Sequence, residues 1–102
     1  MSYVVYVGYP STPGARFDNN YYLKTHMPLV QKNWAKYGLQ HWNVTEFNPN
    51  ESPYVIQAAL HFKDVKAFQT ATGDGEEVFG DIPNFTDLKP TLYHGNEIGA
   101  QK

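Results

Sequence analysis

The chain has 102 residues, a formal net charge of −2, 41% hydrophobic and 16% aromatic residues, and no cysteine. That length fits one domain, so 1–102 is expected to fold as a unit, and the apolar content argues against disorder. The lack of a basic run argues against nucleic acid and an anionic membrane surface, and no apolar run approaches the length of a membrane span.

The opening M-S-Y-V-V-Y lacks the basic start and long apolar core of a signal peptide. With no cysteine for disulfides, a cytoplasmic location is expected. Ser2 to Tyr9 is predicted as a strand, because Tyr3, Val4, Val5, Tyr6 and Val7 are β-branched or aromatic and Pro10 stops the run. Both alternating faces are apolar, so the strand should be covered on both sides. Pro10 to Ala15 reads as a loop.

Asp18 can then accept hydrogen bonds from the free N–H groups of a first helical turn. At about 100° per residue, Tyr22, His26, Val30 and Tyr37 share one side, flanked by Leu23, Met27, Leu29 and Trp34. Lys24, Gln31, Lys32 and Lys36 lie opposite. His26 therefore sits near the middle of an apolar face, and Gly38 suits the left-handed residue that ends a helix. Pro28 has no N–H, and its ring presses on the carbonyl of Lys24. The expectation is a kink there, or a first turn that gives way to a main helix starting near Pro28.

Leu39 to Phe47 is predicted as a second strand, Asn48 to Pro53 as a turn and Tyr54 to Phe62 as a third strand. In the third, Tyr54, Ile56, Ala58, Leu60 and Phe62 form an apolar face, and Val55, Gln57, Ala59 and His61 a mixed one. Asp64 should cap a second helix with Val65, Phe68 and Ala71 inward. Gly73 breaks it, and Asp74 with Glu77 resembles a capping box restarting a short turn to Phe79. Gly80 to Lys89 reads as a loop, and a fourth strand lies within Pro90 to Ile98. Gly95 inside that strand suggests a bulge.

The order strand, helix, strand, strand, helix, strand predicts an α+β fold, the ferredoxin-like βαββαβ sandwich. It has a four-stranded antiparallel sheet with two helices on one face. The other face is too apolar for water, so the chain is expected to form a homodimer whose sheets close into an α+β barrel.

The residues put His26 forward as a functional group. An imidazole held among Tyr22, Tyr37 and Trp34 is biased by desolvation toward its neutral form, which can take or deliver a proton. Tyr22, one turn earlier, could orient it or polarise a carbonyl. Equally, His26 could serve structure alone by bonding a carbonyl freed by Pro28. His41, His61 and His94 lie on three strands without the spacing of a metal pair, so no metal site is expected. Asp81 and Asn84 read as turn formers that bond their own backbone. Tyr22, Phe68, Phe79 and Phe85 are the aromatic residues placed to line a hydrophobic pocket.

Two stretches, F-D-N-N-Y-Y-L-K-T-H-M-P-L-V at 17–30 and G-D-I-P-N-F-T-D at 80–87, resemble the two signature segments of the EthD family. That family is named for ethyl tert-butyl ether degradation and belongs to the dimeric α+β barrel superfamily. By the match, His26, Tyr22 and Pro28 fall on the first motif, and Asp81, Pro83, Asn84 and Phe85 on the second. The resemblance implies a cleft between helices and sheet that holds a small hydrophobic or aromatic molecule. Superfamily members include monooxygenases, cyclases, isomerases, dehydratases and decarboxylases, several without a cofactor, and none is expected here. The catalytic candidates are His26 and Tyr22; the substrate-binding candidates are Tyr22, Phe68, Phe79, Phe85 and Asn84. Three roles stay open: an accessory protein holding a metabolite in ether, xenobiotic or aromatic breakdown, a cofactor-free enzyme using His26 as acid–base, and a dimerising module without chemistry.

Overall fold

Strand β1 (Tyr3–Pro10) sets the layering. Its odd residues Tyr3, Val5 and Tyr9 are buried in the core under the helices, while Val4, Tyr6 and Gly8 point to the other side of the sheet. The computed structural model describes residues 2–48 and 50–101. In it β2 (Leu39–Glu46), β3 (Tyr54–Phe62) and β4 (Thr91–Asn96) join β1 in the order β2-β3-β1-β4. Every neighbouring pair is antiparallel. With α2 (Met27–Trp34) and α3 (Val65–Gly73) on one face, this is the expected ferredoxin-like sandwich.

Registers correct two expectations. The β1–β4 ladder runs unbroken from Tyr3↔Asn96 to Gly8↔Thr91, so Gly95 does not mark a bulge. The irregularities lie elsewhere. One skips Val55, pairing Tyr9 with Ile56 and Pro10 with Tyr54, and so turns Tyr54 away from the apolar face assigned to it. The Tyr54 ring instead covers Gly8, where an added Cβ would meet it at 2.7 Å. The other skips Gln40 and brings His41 opposite His61.

The first helical layer is continuous from α1 (Asn19–Tyr21) through a π-helical turn (Tyr22–His26) into α2 and a 3₁₀ turn (Ala35–Tyr37). The Asp18 carboxylate caps it, accepting from the Tyr21 N–H at 3.0 Å. Gly38, at φ 111°, ends it. The second of the two expectations for Pro28 holds: after the short α1 and the π turn, the main helix α2 starts at Met27 with Pro28 in its first turn. The Met27 N–H bonds the Tyr22 carbonyl, and the wide turn absorbs one extra residue just ahead of the proline. That residue rotates everything beyond it. Met27, Val30 and Trp34 therefore point inward, Leu23 is 47% exposed, and Tyr37 reaches out to Asp74.

Asp64 caps α3 through the Ala67 N–H at 2.8 Å, as expected. Ala67, Phe68 and Ala71 are buried, whereas Val65 lies off that line and is exposed. The capping box at Asp74 does not form. Helix α4 (Glu76–Gly80) has Gly75, not Asp74, as its N-cap residue and no side-chain cap, while the Asp74 carboxylate accepts the Tyr37 hydroxyl at 2.5 Å. The segment after α4 contains a 3₁₀ turn (Ile82–Asn84) and folds back on the start of the first helix. There Phe17 bridges Thr86, and the Asp18 N–H donates to the Phe85 carbonyl at 2.8 Å. Arg16 fastens the same turn by donating to the Pro83 carbonyl at 2.6 Å. Among the described residues no helix is long and apolar enough to cross a membrane.

Candidate functional site

The fold-back brings residue 81 against residue 26. Nδ1–H of His26 donates to Oδ2 of Asp81 at 2.9 Å. The other carboxylate oxygen accepts from the Tyr21 hydroxyl at 2.7 Å and from the Asn84 amide at 2.9 Å. Three donors thus surround one carboxylate. The imidazole is 4% exposed. The Tyr22 ring stacks on it at 5.5 Å and 14°, and Phe85 lies 4.6 Å away at a tilt.

Burial and charge act against each other here. Desolvation lowers the His26 pKa and outweighs the upward pull of the Asp81 bond and charge. For Asp81, burial acts to raise the pKa, but hydrogen bonds from Tyr21, Asn84 and His26 together leave it below the ordinary carboxylate value. The pair is therefore a carboxylate beside a neutral imidazole. With Nδ1 carrying the proton, Nε2 is a lone-pair acceptor on the opposite edge of the ring. Tyr21 keeps its proton because its bond to Asp81 favours the phenol. Burial does the same for Tyr22 and Tyr9.

His26 forms part of the wall of an apolar cavity between the helices and the sheet. Val5 and Tyr9 from β1, Leu60 from β3 and Trp34 from α2 are also in its wall, and Phe79 and Leu92 flank the cavity with 39% and 38% of their surface exposed. The cavity volume is about 30 Å³, room for one or two water molecules. A ligand larger than a few atoms must displace side chains, and the two partly exposed ones are the easiest to move. A neutral base within an apolar cavity can hold a hydrophobic molecule and accept a proton from it.

Not all the aromatic candidates meet there. Tyr22 and Phe79 line the cavity. Phe85 is fully buried behind the imidazole, stacked with Tyr21, edge-on to Phe17 and tilted against Tyr22. Phe68 packs instead against Tyr3, Phe62 and His94. Asn84 is exposed and acts through Asp81. Tyr37 is bonded to Asp74 rather than gathered round His26. His41 and His61 stack at 4.1 Å on the far face of the sheet, and His94 Nδ1 bonds the Tyr3 hydroxyl at 2.5 Å. Among the described residues no three His, Cys, Asp or Glu side chains converge as metal ligands would. Sequence reasoning overlooked Tyr21 and read Asp81 as a turn former. The second motif contained the signal, but the bond to His26 spans 55 positions and no local pattern reports it.

No protein-family model matches the chain, and no curated protein matches it. Solved structures do. An EthD-like protein from Ralstonia eutropha is 30% identical, with 98% of this chain and 95% of that one covered at a TM-score of 0.85. An ethyl tert-butyl ether (EthD) family protein from Bacillus halodurans is 26% identical, with 96% and 100% covered and a TM-score of 0.72. A dimeric ferredoxin-like protein from an uncultured marine organism shares the fold at 9% identity and a TM-score of 0.60, over 100% and 92% of the two chains. Identity of 30% across almost the whole of both chains, with the fold and both motifs in place, makes this chain a member of the EthD-like family.

Proposed function

We propose that this EthD-like chain binds a small hydrophobic or aromatic molecule beside His26 and moves a proton on it without a resident cofactor. The observation that carries the reading is the His26–Asp81 pair, whose imidazole is buried in the wall of an apolar cavity. A structural histidine needs only a hydrogen-bond partner; this one has a carboxylate that fixes its tautomer and leaves Nε2 free. Tyr22 stacks on the ring and holds its plane. The chemistry that suits such a base is proton abstraction next to a carbonyl or from a phenol, the step shared by isomerisation, cyclisation and oxidation of enolisable compounds. The family's association with ether breakdown supports a place in xenobiotic or aromatic degradation, in the cytoplasm.

The sheet's far face supports pairing with a second copy. Val4, Tyr6, Tyr54, Gln57, Ala59 and Tyr93 lie on it with His41, His61, Asn43 and Thr45, and its strand residues include no Asp, Glu, Lys or Arg. Tyr6 stacks on Tyr93 at 5.5 Å, and Tyr93 is 40% exposed. A surface whose strand residues are uncharged and partly aromatic suits a homodimer interface.

Deuterium exchange at the acidic C–H of α-tetralone tests the site. The reading predicts exchange accelerated by the wild type and lost in His26→Gln, with calorimetric binding retained. Binding by both proteins with no acceleration by either would make the chain a carrier. Failure of the wild type to bind any apolar aromatic would leave the cavity as packing and overturn the proposal.

A further inference from the structure

Resting on that reading, we infer that Trp34 is the second polar anchor of the cavity, and that the ligand is an aromatic molecule with a hydrogen-bond acceptor at the end remote from its acidic proton. Trp34 is 3% exposed, and its indole Nε1–H is a buried donor with no hydrogen-bond partner. An unpaired donor out of reach of water is uncommon and costly in a folded protein, so a group normally present commonly completes it. Trp34 forms part of the same cavity wall as His26, and the remaining wall is almost entirely apolar. Its neighbours Phe62 and Phe79 are hydrocarbon rings at 6.1 and 5.8 Å and offer the indole no conventional acceptor. A ligand oxygen would.

Trp34 follows His26 by eight helical positions, a rise of about 12 Å at about 1.5 Å each, so the two polar groups stand at separate places along the wall and a ligand with polar groups at opposite ends can meet both. The acceptor at the Trp34 end would be a carbonyl, ether or similar oxygen, and the acidic C–H or O–H would lie at Nε2 of His26. The wall offers the ligand no cationic partner, so a neutral oxygen fits better than a carboxylate.

The test compares two molecules of one shape: acetylnaphthol, with its hydroxyl and carbonyl at opposite ends of the ring system, and isopropylnaphthol, which lacks the acceptor. Calorimetry should show acetylnaphthol binding about five- to tenfold more weakly to Trp34→Phe than to the wild type, the effect of one neutral hydrogen bond. Isopropylnaphthol should bind both proteins alike. The proton resonance of the Trp34 indole N–H in the wild type gives a second readout that needs no variant. It should move downfield with acetylnaphthol and stay in place with isopropylnaphthol. Equal weakening of both ligands, or an indole resonance indifferent to the carbonyl, would overturn the anchor while leaving the His26 site standing if the wild type still accelerates exchange at α-tetralone and His26→Gln does not. Absence of binding by either molecule at millimolar concentration would overturn both.

Discussion

Replacing Asp81 with Asn keeps the side chain's shape and removes its charge and one acceptor oxygen. At present Oδ1 takes the Tyr21 hydroxyl at 2.7 Å and the Asn84 amide at 2.9 Å, and Oδ2 takes the His26 Nδ1–H at 2.9 Å. Asparagine can keep the first two bonds only by turning its NH₂ toward the imidazole. Nδ1 must then accept, and the ring proton moves to Nε2, the nitrogen that should be the base. General acid–base catalysis typically contributes about 10²–10⁴-fold, so exchange at α-tetralone should fall by about 10²–10³-fold. The variant also loses a charge-assisted bond, which costs about 1–2 kcal/mol after allowing for partial solvent access to Asp81. Exchange followed by NMR and urea unfolding read the two effects separately. A folded Asp81→Asn protein that exchanges at the wild-type rate would refute the assignment of Asp81 as the group that sets the tautomer.

Acid stability follows from the direction of the two shifts. The pKa of His26 is lower in the folded protein than in the unfolded chain, so its contribution is fully present above about pH 6.5 and is lost as the pH falls through the folded value. Asp81, also lowered, loses its contribution below about pH 4. Urea midpoints measured from neutral pH downward should therefore fall in two stages, and His26→Gln should remove the first; an unchanged first stage would contradict the assignment. Gly38→Ala places a Cβ at φ 111° and 2.8 Å from the Ala67 Cβ. It should cost about 1–3 kcal/mol in urea unfolding, and a loss under about 0.5 kcal/mol would show that the turn relaxes freely. Tyr93→Lys puts a charge on the far face of the sheet. Sedimentation should show a dimer for the wild type and a monomer of unchanged circular dichroism for the variant, while a monomeric wild type would dispose of the interface.

What could be read from the sequence was local. Asp18 and Asp64 announce their caps, Gly38 its left-handed turn, and the alternation of β3 gives that strand its observed bounds. His26 was picked out because it interrupts an apolar face, and it is buried there. What escaped depends on distant parts of the chain. A fixed 100° wheel cannot register the extra residue of the π turn, so Tyr37 was placed on the inward side and Leu23 beside Met27 and Trp34 on its flank, whereas Met27 and Trp34 are buried with Val30 and Leu23 is exposed. Tyr54 left its expected face because a register shift opposite Pro10 skips one residue. Asp74 does not cap α4 because the helix starts one residue later, with Gly75 at its N-cap, and the carboxylate meets a tyrosine 37 positions earlier instead. Asp81 likewise looked like an ordinary turn residue until the chain folded it against the imidazole.

The account stands on a neutral His26 whose proton sits on Nδ1 and whose Nε2 faces an apolar ligand. Nitrogen NMR of the imidazole at neutral pH, before and after adding acetylnaphthol, measures that state directly. The account predicts a protonated Nδ1, an unprotonated Nε2, and an Nε2 resonance that moves when the naphthol is added. A proton on both nitrogens, or a proton on Nε2 with no response to the ligand, would contradict it.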